Sequence, residues 1–252
     1  MTKIIGIVAA ALAFSACNIG SVEGQAEWMH TYSLAQGGTI QMDNTNGRIE
    51  IEPSDGSDVE VHALKIAHAA TEAAAKEAAN AVQIRETATT DRITIETGET
   101  GKSFFSSSPE VRFHVKAPKW ARLKISSTNG EIDLRDMTGD VSLETTNGRI
   151  HAVGLEGTTD ARTTNGEINL DFAKSPPRGI ECSATNGEVV VAIPKDTRGH
   201  IAASLTHGGI SVDNLTLTTS NRSDSHVEGD INGGGPSIKI ETTNGRIKIR
   251  GK

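Results

Sequence analysis

"SSTNGEIDL", residues 126–134, contains a Thr-Asn-Gly turn that returns at Asn46, Asn147, Asn165, Asn186 and Asn244. From Asn129 the spacings are 18, 18 and 21 residues, and "LTHGGISV" repeats the frame with His207 in the Asn position. Four residues before the turn stand Ile125, Leu143, Ala161, Cys182, Ala203 and Ile240; six before stand Leu123, Val141, Thr159, Ile180, Ile201 and Ile238. Three residues after it stand Ile132, Ile150, Ile168, Val189, Ile210 and Ile247; five after stand Leu134, Ala152, Leu170, Val191, Val212 and Ile249. The residues between these columns are mostly Ser, Thr, Glu, Asp, Arg and Lys. Alternation at period 2 on both sides of a turn marks two half-buried strands per unit.

One such unit cannot bury its apolar face alone, whereas stacked units share a continuous core. The expected fold is therefore all-β, a single-chain β-solenoid with rungs of 18–21 residues. Hairpins side by side are the rival, but they have no need of the same side chain at the same corner. Few aromatics (3%) and 26 Gly suit a thin, turn-rich column better than a globular core filled by large rings.

In register, about 4.8 Å apart, the corner amides of Asn129, Asn147, Asn165, Asn186 and Asn244, with His207 in the same file, would form a turn ladder. Gly and Asn suit a corner in the left-handed region. Behind each Gly come Glu131, Arg149 and Glu167, alternating in sign, with Arg48 placed to extend a cross-rung charge ladder from "NTNGRIEI". Cys182 falls in an aliphatic column, so a buried, unreactive thiol is expected. The residues between His207 and Asn244 are too degenerate to align as a further unit. In "GRIKIRGK", Arg246, Lys248 and Arg250 point out, which suits an exposed last strand protected against edge-to-edge pairing, or a basic strip facing an anionic polymer.

Residues 18–118 are β-rich but irregular, with "VEVHALKIA", "VQIRETA", "RITIET" and "VRFHVKAP" alternating like strands. The Ala-rich "ATEAAAKEAANAV" predicts one short helix near 70–82, with Glu72 and Lys76 at a favourable i,i+4 spacing. This part reads as the N-terminal cap of a solenoid at 119–252. "ETGKSFFSSSPE" reads as a loop.

Residues 1–17 read as a signal peptide, with Lys3, a short apolar run and the small-residue ending "FSAC"; that ending resembles the lipobox of bacterial lipoproteins, which implies a lipoprotein-type signal with lipidation at Cys17. Two or three acyl chains would hold the chain at a membrane, and with Asn18 after the cysteine the same resemblance implies an outer-membrane destination facing the periplasm or the surface. The net charge is −7, and losing the signal removes Lys3 and no acid. An acidic chain without a basic field is a poor nucleic-acid binder.

"GETGKS" fails as a phosphate loop, since Glu96 stands where the motif needs Gly and no helix follows. The eight His lack metal-ligand spacing, so no metal or other cofactor is expected. Exposed carboxylates such as Glu144 and Asp133 are the candidates for a polysaccharide-cleaving alternative, although solvated strand faces carry such acids anyway.

With "VRFHVKAPKWARLKISSTNGEIDLRDMTGDVSLETTNGRIHAVGLEGTTDARTTNGEI" in view, the chain resembles the bacterial putative-adhesin family of unknown function over about residues 36–252. The resemblance implies a repeated-strand fold, an envelope association and a surface that meets a protein or glycan partner. It brings no catalytic or binding residues to map. The expected role is a non-catalytic envelope lipoprotein.

Overall fold

The computed structural model describes residues 21–98 and 108–252. In chain order the elements are β1 (Val22–Ser33), β2 (Thr39–Asn46), β3 (Ile49–Ser54), β4 (Asp58–Ala69), α1 (Glu72–Ala81), β5 (Ile84–Ala88), β6 (Arg92–Thr97) and β7 (Glu110–Pro118). The regular region follows as β8 (Arg122–Asn129), β9 (Ile132–Arg135), β10 (Val141–Asn147), β11 (Ile150–Leu155), β12 (Thr159–Asn165), β13 (Ile168–Phe172), β14 (Ile180–Asn186) and β15 (Val189–Ile193). The upper end contains β16 (Gly199–Asp213), β17 (Leu217–Arg222), β18 (His226–Ile231) and β19 (Ser237–Gly251).

The chain is a β-solenoid with two walls. The strand before each Asn-Gly corner pairs in parallel with its equivalent in the next layer, so β2, β8, β10, β12 and β14 run side by side in one wall, here wall A. The strand after the corner does the same in wall B, where β3, β9, β11, β13 and β15 are neighbours. The apolar columns meet between the walls. Ile125, Leu143, Ala161 and Cys182 are partners along wall A, as are Ile132, Ile150, Ile168 and Val189 along wall B. All are essentially inaccessible. Each such Ile contributes about 1.5–3 kcal/mol relative to exposure, so the column is held by small aliphatic contacts repeated many times.

The layers do not follow chain order at either end. At the lower end the layer of β2 and β3 lies between β8/β9 and a layer made by β6 and β7. The stack thus reaches back to residue 39. At the upper end β19 pairs in parallel with β14 and β15 on one side and with β16 on the other. This corrects the expectation of an exposed last strand. The strand carrying Arg246, Lys248 and Arg250 is internal, because Ile238, Ile240, Ile247 and Ile249 gain two apolar neighbours there instead of one. The degenerate stretch between His207 and Asn244 is not a further rung. It forms an antiparallel extension of wall A, in which β18 pairs with β16 and β17 pairs with β18.

Both ends of the core are closed by antiparallel strands. At the lower end, β5 extends wall A beside β6, while β4 and β1 extend wall B beside β7. Helix α1 starts at the N-cap Thr71, whose side chain accepts from the Ala74 N–H, and it packs Ala78 and Ala79 on Ala26 and Ala67. Gly24 is required at that contact, since a Cβ would overlap the backbone of Ala75. Lys65 Nζ donates to the carbonyls of Asn80 (3.4 Å) and Val82 (3.3 Å), satisfying acceptors that the helix end leaves open.

Candidate functional site

The most regular surface lies at the Asn-Gly corner. Asn129 Nδ2 donates to Asn46 Oδ1 at 3.0 Å, and Asn147, Asn165 and Asn186 each donate to the amide below at 2.9 Å. Asn244 donates to Asn186 at 2.9 Å, and His207 stands in the layer beyond, in register with Asn244. All these bonds point the same way, an arrangement in which each amide polarises the next. At the lower end Asn44, 3% exposed, donates to the carbonyls of Asn46, Gly47 and Val111.

The corner glycines are needed for clearance. A Cβ on Gly148 would overlap the Gly130 carbonyl, and one on Gly187 would overlap the Gly166 carbonyl. The ladder asparagines are not left-handed. Among the described residues, positive φ outside glycine occurs at Asp136, Asn214 and Asn232. Positive φ at the corner falls on glycine instead, at Gly47, Gly166, Gly208 and Gly245 (φ 113°, 158°, 140° and 153°), and close vertical stacking of the backbone adds a second demand for glycine. Each glycine N–H also donates to the Asn carbonyl of the neighbouring layer, as in Gly148 N to Asn165 O at 3.0 Å.

A second file at the corner was not read from the sequence. Thr145, Thr163 and Thr242 point inward, and their hydroxyls donate to the carbonyls of Gly130, Gly148 and Gly187 at 3.1–3.3 Å. Their parity is that of the apolar columns, and that was the available signal. The threonines next to the Asn (Thr128, Thr146, Thr164, Thr185, Thr206 and Thr243) are exposed on wall A. Hydroxyls and amides are thus displayed side by side at the layer spacing.

The charged column runs along the edge of wall B. Arg149 Nε donates to Glu131 Oε1 at 2.6 Å, and this bond holds the Arg149 pKa above its ordinary value. Glu167 follows in the next layer, near enough to add to the same effect. Arg48 departs from the expected ladder. Its Nε reaches Asp133 Oδ2 at 2.8 Å instead of Glu131. The Asp133 side chain is 7% exposed and that of Glu131 is 26%, and the more buried carboxylate gains more from a counter-charge. On its other side Asp133 meets His151 Nδ1 at 3.5 Å. A cleft of about 300 Å³ opens here, lined by Asp133, Leu134, Arg135, Asp136, His151 and Val153.

Glu144 lies on the outer face of wall A, in register with Ser126 and Arg162, whereas Asp133 is in wall B. The two carboxylates suggested for catalysis therefore sit on opposite walls and do not flank a common bond. On wall A, Asp160 is held above its ordinary pKa by burial, with Glu181 and Glu144 adding to the effect and Arg162, at 2.9 Å, opposing it.

Cys182 is fully buried, and burial pushes its thiol pKa up, helped by Asp160 and Glu181. Cys17 and most of "GETGKS", with Phe104 and Phe105, lie outside the described residues. Among the described residues no group of three or more His, Cys, Asp or Glu converges as a metal would require, and no helix is long and apolar enough to cross a membrane.

The lower end holds a ring cluster that the sequence reading passed over. Trp28, His30 and Tyr32 follow one another on the inner face of β1, with ring centroids 5.0 and 5.5 Å apart. The Tyr32 hydroxyl donates to Glu86 of β5, and His30 Nδ1 lies 3.3 Å from the same carboxylate. The terminal strands of the two walls are joined across the end of the core by this contact.

The sequence profile of the family described as Toastrack DUF4097 matches residues 106–250. No curated protein matches the chain. Among solved structures, a "putative cell adhesion protein" from Clostridium sporogenes superposes with a TM-score of 0.50 at 12% identity, over 90% of this chain and 100% of that one. A "putative adhesin" from Bacteroides fragilis gives 0.48 at 11% identity, over 90% and 97%. At such identities the first likeness speaks for the fold alone.

Proposed function

Since the chain belongs to the Toastrack DUF4097 family, we propose that it is a non-catalytic cell-envelope lipoprotein whose solenoid presents a rigid surface to a protein or glycan partner. The observation that carries this reading is the corner, where exposed threonine hydroxyls and a continuous amide ladder repeat at the layer spacing. A preorganised array of donors and acceptors binds with little loss of side-chain freedom. The adhesion-related description of the Clostridium sporogenes protein agrees with a surface role. The signal-like residues 1–17 supply the anchor, with lipid on Cys17 and an outer-membrane destination.

The decisive experiment is capture from envelope extract with the unlipidated chain as bait, repeated with Thr146→Val and Thr164→Val together. A partner retained by the native bait and lost by the double variant supports the corner as the contact surface; equal capture by both removes it. Membrane fractionation of Cys17→Ser tests the anchor, and the variant is expected in the soluble fraction. Turnover of an envelope glycan that Glu144→Gln or Asp133→Asn abolishes would replace this reading with the enzymatic one.

A further inference from the structure

β19 occupies a slot built entirely from chain that precedes it. One lip is β14 and β15, the other is β16. Ile238 lies between Ile180 and Ile201, Ile240 between Cys182 and Ala203, Ile247 between Val189 and Ile210, and Ile249 between Val191 and Val212. The two lips carry the same apolar frame, so they are in register with each other as well as with β19. At the corner Asn244 bonds to Asn186 at 2.9 Å, and Lys248 Nζ lies 2.7 Å from Glu188.

The link into β19 is a tight backbone reversal. Asn232, Gly233 and Gly234 are all left-handed, with φ of 50°, 86° and 80°, and Gly235 and Pro236 complete the step from β18 across β16. The Asn232 amide holds the turn to the carbonyls of Lys195 (2.9 Å) and Thr197 (2.7 Å).

We propose that β19 is an exchangeable strand, and that the slot between β14/β15 and β16 accepts the β19 of a second copy to give a reciprocal strand-swapped dimer. Every contact β19 makes in its own slot is reproduced when an identical strand is donated. Only the 232–236 link, with the Asn232 bonds to the Lys195 and Thr197 carbonyls, and the entropy of joining two chains distinguish the states. Short hinges of this kind favour swapping, and reciprocal exchange closes with two-fold symmetry. The inference goes beyond the envelope role and holds whether or not the chain is lipidated.

The test uses the full chain with Cys17→Ser, in two differently tagged forms. A short link presents β19 to its own slot at an effective concentration on the order of millimolar. Co-refolding at ~0.1 mM should therefore place roughly a tenth of the chains in mixed-tag dimers, and lower concentrations should give proportionately fewer. Adding Ile240→Cys reports the connection directly. Cys182 and residue 240 are register partners, about 4.8 Å apart between adjacent strands and within disulfide reach. Oxidised dimers should show the link between chains, and oxidised monomers within one chain. No mixed-tag dimer at any concentration up to ~1 mM, with all links within one chain, would overturn the proposal.

Deleting Asn232–Gly235 sharpens the outcome. β18 and β19 flank β16, so their ends are about 9.6 Å apart, whereas Pro236 alone spans at most about 7.6 Å. The dimer share should rise about fivefold, from roughly a fifth to nearly all chains, and a folded monomer would overturn the proposal. Should the deletion prevent folding, co-refolding of the undeleted chain still decides.

Discussion

Gly148 has a single hydrogen where a methyl group would overlap the Gly130 carbonyl of the layer below. Gly148→Ala must therefore push two layers apart along a line of backbone hydrogen bonds. The expected destabilisation is about 1–3 kcal/mol, the range for overpacking, read as a lower denaturant midpoint. Gly56→Ala, with nothing closer than the Asp58 nitrogen at 3.8 Å, should stay within about 0.5 kcal/mol. Cys182 provides a second test at this scale. Its thiol is buried and its pKa raised, so both access and thiolate fraction are suppressed. Labelling by a thiol reagent should proceed only at the rate of unfolding; rapid labelling of the native protein would contradict the buried column.

At the scale of elements, charge holds neighbouring strands together. Arg149 lies between Glu131 and Glu167 in the wall B column. Arg149→Glu places three carboxylates in succession, and the melting temperature should fall at low ionic strength and recover with salt. The upper cap should respond to pH. His200 on β16 has Nδ1 2.8 Å from Asp230 and Nε2 3.4 Å from Glu228, both on β18, with His226 beside Glu228. The hydrogen bond to Asp230 raises the His200 pKa above its ordinary 6.5. The folded state therefore binds the proton more tightly than the unfolded one. The resulting stabilisation is complete below about 6.5 and is lost as pH rises through the folded value. Protection factors of the β17 and β18 amides, corrected for intrinsic exchange, should fall across that window, and His200→Gln should remove the step.

For the whole molecule, stability is close to a sum over layers and their contacts. Amides of β10–β15, with layers above and below, should exchange slowest, and those of β1, β5 and β17 first. Uniform protection from end to end would instead indicate a single cooperative block. At this scale the corner period and the four apolar columns were legible in the sequence, because period-2 alternation ties each residue to one side of a wall and a fixed spacing ties each wall to the next. The short helix was legible for a similar reason, since its Ala-rich stretch has a strong local preference. The partner of Arg48 was not, because a long side chain can reach either of two carboxylates and their burial depends on neighbouring layers. The inward threonines were missed because a hydroxyl can be satisfied by a carbonyl that only stacking brings near.

The amino-acid sequence by itself determined the two-walled rung, its apolar columns and its Asn-Gly corner, all of which are set by local alternation and turn geometry. The tertiary structure alone decided the order of the layers. Strands with the same apolar frame are interchangeable by pattern, so the internal position of β19, the insertion of β2/β3 above β6/β7 and the closure of both ends depend on which arrangement buries the most surface.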